Sequence, residues 1–151
     1  MKRRLFLFAV PALAFAGHPT RSAALPHLVV YRDPGCGCCE AWVEHMRAAG
    51  FTADIADDPE RAARRVALGI SDANASCHTA VFGDVAIEGH VPAADVIRLI
   101  NEKPDGVIAL TVPAMPVGSP GMGPEGSGPP YDTLLIRRDG STAVFASHQR
   151  G

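Results

Sequence analysis

From His27 to Lys103 the hydrophobic pattern changes period repeatedly, and each change marks an element. "HLVVY" at 27–31 is a β-branched run ending just before a Pro-Gly turn, which predicts a buried strand. "CCEAWVEHMRAAGF" then sets Trp42, Val43, Met46 and Ala49 on one helical face and stops at Gly50. "FTADIAD" alternates as a half-buried strand does. "DDPERAARRVALG" offers Asp58 as a cap, Pro59 as a first helical position and Gly69 as a stop. "TAVFGDVAIEG" predicts two strands around a Gly83-Asp84 turn, and "PAADVIRLINEKP" a helix from Pro92 that ends before Pro104.

The order β-α-β-α, hairpin, helix is that of a thioredoxin-like α/β core, βαβα-ββα, running from about Leu28 to Lys103. Residues 111–130, "TVPAMPVGSPGMGPEGSGPP", form a Gly/Pro-rich loop too long to serve only as a connection. "YDTLLIRRDGSTAVFASH" predicts a C-terminal hairpin, with Asp139-Gly140 suited to a type I′ turn. No segment repeats.

The N-terminus changes the picture of where this domain works. Lys2, Arg3 and Arg4 precede "LFLFAVPALAFA", an apolar run of signal-peptide length and too short for a comfortable membrane span. Residues 1–24 therefore read as a cleaved export signal, with small-residue sites after Ala16 and, preferred, Ala24; residues 25–151 are one mature domain. "RRLFL" also resembles a twin-arginine signal, the rival to an ordinary secretory one, and a retained anchor is the third reading. The expected location is the periplasm, with no membrane attachment after cleavage. Losing Lys2, Arg3, Arg4 and Arg21 moves the formal charge from −2 to −6. A chain so acidic, without a basic run, offers nucleic acid nothing to hold.

Three of the four cysteines crowd into "DPGCGCCEAW". Cys36 and Cys39 form a Cys-x-x-Cys between a strand and a helix, where the helix N-terminus favours a thiolate that is both nucleophile and metal ligand. Such a pair alone would fit a disulfide-exchange enzyme or a structural disulfide. Cys38 argues against both: a third thiol would scramble mixed disulfides, and it would be left free in an oxidising compartment. Crowded thiolates suit a soft ion, above all Cu(I), whereas zinc ribbons need two separated Cys pairs.

Cys77 joins them by topology. In a thioredoxin-like core the residue opening the third strand faces the Cys-x-x-Cys and is usually a proline; here "SCHTAVF" puts Cys77-His78 there. Cys77 thus becomes a fourth candidate ligand, against the alternative of a small buried hydrophobe.

"DPGCGCCEAWVEHM", "SCHTAVFGDVAIEGHVPAADVIRLI" and "LTVPAMPVGSPGM", in this order, resemble the CopG-type periplasmic copper-resistance proteins over nearly the whole mature chain. The resemblance implies a thioredoxin-like fold with a cysteine–copper centre and a role in handling excess copper. It does not separate storage, transfer and redox conversion. Implied partners are copper ions and other periplasmic copper-handling proteins.

Met115 and Met122 lie in the Gly/Pro loop, and thioether sulfur binds Cu(I) without losing a proton, so the loop reads as a lid over the cysteines. The bland reading is an apolar plug. Met46 reads as core. His90, in "EGHVP", borders the Cys-x-x-Cys and is a candidate ligand or proton relay, against a solvent-facing boundary residue. His78, next to Cys77, is a similar candidate, although on a regular strand its side chain would point away from Cys77, and His45 is expected to be a surface residue. The expected metal set is Cys36, Cys38, Cys39, Cys77, Met115, Met122 and His90, with copper as the ion. The rival from another class is an exported thiol-disulfide oxidoreductase.

Overall fold

The computed structural model describes residues 24–148, so the expected export signal, apart from Ala24, lies outside the described residues. Seven strands form one mixed sheet: β1 (His27–Arg32), β2 (Thr52–Asp57), β3 (His78–Phe82), β4 (Val85–Glu88), β5 (Val107–Thr111), β6 (Tyr131–Arg137) and β7 (Thr142–His148). Their order is β2-β1-β3-β4-β5-β6-β7. Three helices accompany them, α1 (Gly37–Ala48), α2 (Arg61–Ala67) and α3 (Ala93–Glu102). The α/β class and the succession β1-α1-β2-α2-β3-β4-α3 are those the period changes predict.

Period-2 alternation sorts the strands' side chains onto two faces. Leu28, Val30, Ala80, Ile87, Leu110 and Leu135 pack with Trp42, Val43 and Met46 of α1 and with Val96 and Leu99 of α3. Their neighbours Ala86, Ala109 and Ile136 turn to the other face, where Ile70 and Leu68, just after α2, cover them. Trp42 is wholly buried and its Nε1 donates to the Val91 carbonyl at 2.9 Å, so its indole has no unpaired polar atom. Truncating it to Ala would cost about 3–5 kcal/mol.

Four details depart from the pattern reading. Residues 107–111, where the pattern predicts no element, form β5, parallel to β4. Its run "VIAL" is short, and periodicity alone does not separate such a run from a loop or a helix end. The helix expected from Pro59 starts at Arg61; Asp58 Oδ1 accepts the Glu60 N–H at 3.0 Å, forming a turn before the helix rather than its cap. At the hairpin tip only Gly140 has positive φ (82°), and its N–H donates to the Arg137 carbonyl. That is a three-residue loop closed by a left-handed glycine, not the type I′ turn, which needs positive φ at Asp139 too. Finally, β3 begins at His78, leaving Cys77 in the bend before it.

The register decides where the loops meet. Arg32, the last residue of β1, pairs with His78, the first of β3. Glu88, the last of β4, pairs with Thr111, the last of β5. The "CGCC" loop, Cys77, the Gly89-His90 turn and the Gly/Pro loop therefore all leave the sheet at one end.

Candidate metal centre

At that end the sulfurs of Cys36, Cys38, Cys39 and Cys77 all lie within 4.8 Å of one another. Cys36 and Cys39 are joined as a disulfide, leaving Cys38 and Cys77 as thiols. Cys38 Sγ is 3.5 Å from Cys36 Sγ and 3.8 Å from Cys77 Sγ, and Cys39 Sγ is 3.7 Å from Cys77 Sγ. The local sequence explains the crowding. Pro34 and Gly35, the latter at φ 75°, turn the chain so that Cys36 becomes the N-cap of α1. One helical turn then brings Cys39 back beneath it. Burial, with the neighbouring Cys38, pushes the Cys77 thiol up to about 12, so at neutral pH it is protonated until an ion displaces the proton.

Two imidazoles flank Cys77. His90 Nε2 is 3.0 Å and His78 Nδ1 3.3 Å from its sulfur, and the three donors form a second cluster that shares Cys77 with the first. His78 thus faces Cys77 instead of pointing away. Pleat alternation does not govern this pair, because Cys77 precedes the strand. Both rings are buried, and burial lowers both below the usual histidine range, so they stay neutral and able to ligate. His78 Nε2 is buried without a hydrogen-bond partner, while its ring packs against Trp42 and edge-on to His90.

The Gly/Pro loop packs beside the site, with the Pro120 carbonyl 2.8 Å from His90 Nδ1. Gly121, at φ 83°, sits so close to the first turns of α1 that a Cβ there would be 2.9 Å from the Cys38 carbonyl oxygen and 2.8 Å from the Trp42 nitrogen. Met122 follows directly and is half-buried. At the loop's other end Ala114 N–H donates to the Ala75 carbonyl at 2.8 Å, a tether one residue before Met115 and two residues before Cys77. Met115 itself is 47% exposed. The loop thus touches both cysteine segments, through Gly121 against Cys38 and through Ala114 against Ala75. His45, expected at the surface, instead accepts the Ala93 N–H, the first of α3, at its Nε2 (3.0 Å) and meets Glu125 of the loop at Nδ1 (3.1 Å). The orphan donor of a helix terminus accounts for that, and no sequence pattern announces it.

Metal–thiolate bonds of about 2.3 Å let two sulfurs share one ion at separations up to about 4.6 Å, and the measured S···S distances fall inside that limit. The donor set, sulfur with neutral imidazole, fits a soft or borderline ion once the disulfide is reduced.

A family model described as "Protein of unknown function, DUF411" matches residues 74–122, the stretch carrying Cys77, His78, His90, Met115 and Met122. No curated protein matches the chain. Among solved structures, the first form of a copper resistance protein CopG is 36% identical, with a TM-score of 0.77, covering 83% of this chain and 99% of that one. A second form gives 36% identity and a TM-score of 0.76, over 82% and 98%. With that identity sustained over the length of the solved protein, this chain belongs to the CopG copper-resistance family.

Proposed function

We propose that the reduced protein binds Cu(I) through Cys36, Cys38, Cys39 and Cys77, with His90 and His78 on the far side of Cys77, and that it does so after export to the periplasm, in copper resistance. The observation that carries this is the mutual approach of four sulfurs within 4.8 Å, from segments 38 residues or more apart at Cys39 and Cys77. Cys77 belongs to both donor clusters, which leaves room for more than one ion bridged by shared sulfur. Met122 and Met115, on the loop, are the soft donors that would close the open side. Among the described residues no helix is long and apolar enough to cross a membrane.

The test is an anaerobic Cu(I) titration of reduced mature protein, with metal analysis after desalting against a weak chelator. Retention of more than one copper per chain is expected. Zinc alone, or copper lost on desalting, would sink the proposal. Thiol-disulfide exchange is the second reading, favoured by the Cys36–Cys39 disulfide at the start of α1. Robust disulfide reductase activity without copper retention would select it.

A further inference from the structure

Besides their own sulfurs, the two cysteine-bearing loops are joined by a side chain that belongs to neither. Arg61, the first residue of α2, sends Nη2 to Asp33 Oδ2 at 3.0 Å and Nη1 to the Ser76 carbonyl at 3.1 Å. Asp33 opens the turn into the cluster, and its carbonyl accepts the Cys36 N–H at 3.3 Å. Ser76 immediately precedes Cys77 and is held on its other side as well. Its N–H donates to Glu88 Oε1 at 2.7 Å, and its hydroxyl donates to the Ala114 carbonyl. Glu88 is itself wholly buried and fixed by the Thr79 hydroxyl at 2.5 Å. The Ser76 residue is thus clamped between Glu88 and Arg61, and the Arg61 guanidinium hydrogen-bonds to both cysteine loops at once. Its side chain is only 14% exposed, and its Nε has no hydrogen-bond partner.

We infer that Arg61 is a positioning residue, a strut that sets the spacing between the "CGCC" sulfurs and Cys77. The consequence for copper rests on the reading above, but the spacing does not. A guanidinium suits the role because its donors are fixed in one plane, so two partners held by one fork are held at a set distance. A lysine keeps the charge and loses the fork.

The spacing can be read without metal. In the disulfide form only Cys38 and Cys77 are free thiols, 3.8 Å apart. Dibromobimane, which fluoresces strongly once it bridges two thiols, reports their proximity, and monobromobimane reports each thiol's own reactivity. The expected result for Arg61→Ala is a bridging rate down about tenfold or more relative to the single-thiol rates, as an ångström-scale misplacement produces. Arg61→Lys should not restore it. Asp33→Ala, at an exposed position that leaves Arg61 in place, should reproduce part of the loss, so the test survives if Arg61→Ala does not fold. Circular dichroism checks the fold of each variant. In copper-loaded protein, X-ray absorption should show altered metal–metal distances in Arg61→Ala. Wild-type bridging in Asp33→Ala and Arg61→Ala, or full rescue by Arg61→Lys, overturns the strut. Wild-type protein that bridges normally but retains no copper leaves the strut standing and removes the copper reading instead.

Discussion

His90 Nδ1 donates to the Pro120 carbonyl at 2.8 Å while its Nε2 faces Cys77 Sγ at 3.0 Å. A neutral imidazole carries one N–H, so the bond to Pro120 fixes the tautomer and leaves the Nε2 lone pair toward the sulfur. The same ring therefore fastens the Gly/Pro loop and presents a donor to the site. Replacing His90 with Ala should weaken copper retention by at least the roughly 10–100-fold that even outer partners of metal ligands are worth. Competition against a Cu(I) chelator measures it. An unchanged affinity would remove His90 from the metal set and leave it a loop fastener.

Cys38 separates the two functional readings most sharply. It stands 3.5 Å from Cys36 and 3.8 Å from Cys77, within reach of both the disulfide and the other free thiol. As a copper ligand its loss should cost as much copper as the loss of Cys36, so Cys38→Ser and Cys36→Ser should give similar metal-to-protein ratios after desalting. In an exchange enzyme Cys38→Ser would remove a competing thiol instead. Retained copper together with faster disulfide reduction in that variant would favour the enzyme.

Much of this centre was legible in the sequence because it follows from element order. Once "HLVVY" and "HTAVF" are neighbouring antiparallel strands, the residue before His78 must emerge beside the loop after Arg32, and Cys77 meets Cys39. That residues 111–130 would be more than a connection was legible from the loop's length and composition. What was not legible depends on single side chains crossing between elements. Nothing in "PERAARR" says that Arg61 will reach both Asp33 and Ser76, and nothing in "IEGH" says that Glu88 will be buried under Ser76. That His78 faces Cys77 is hidden for a related reason: alternation holds inside a strand, and Cys77 lies one residue outside it.

The Gly/Pro loop's seat on α1 depends on having no side chain at residue 121. A Cβ there would press on backbone atoms of Cys38, Ala41 and Trp42, none of which can rotate away, and φ 83° is itself strained for alanine. Gly121→Ala should therefore lift the Ser119–Met122 segment from the helix and destabilise the fold by about 1–3 kcal/mol. The functional signature is kinetic: copper should leave faster to an added chelator, with the binding stoichiometry kept. A variant as stable as wild type, with the same release rate, would show that the loop does not cover the site.

The buried histidines fix how the metal-free protein responds to acid. His78 is wholly buried, and burial first, then the repulsion it would meet from a protonated His90 and from Arg61, holds it well below its usual 6.5. In the unfolded chain it titrates near 6.5, so as pH falls below that value the unfolded state takes up a proton the folded state refuses. Stability must then fall with pH, by up to about 1.4 kcal/mol per pH unit for one proton. His90, also lowered by burial, acts in the same direction. Glu88 acts in the opposite one: burial raises its carboxyl above 4.5, so its contribution falls as pH rises from there. Urea unfolding of metal-free protein between about pH 5 and 6.5 should therefore show stability rising with pH, the histidines outweighing Glu88 where both titrate. His78→Gln should flatten that rise by removing one proton from the difference. A slope unchanged in His78→Gln would mean that His78 is protonated in the folded state, and so is not the neutral donor that faces Cys77.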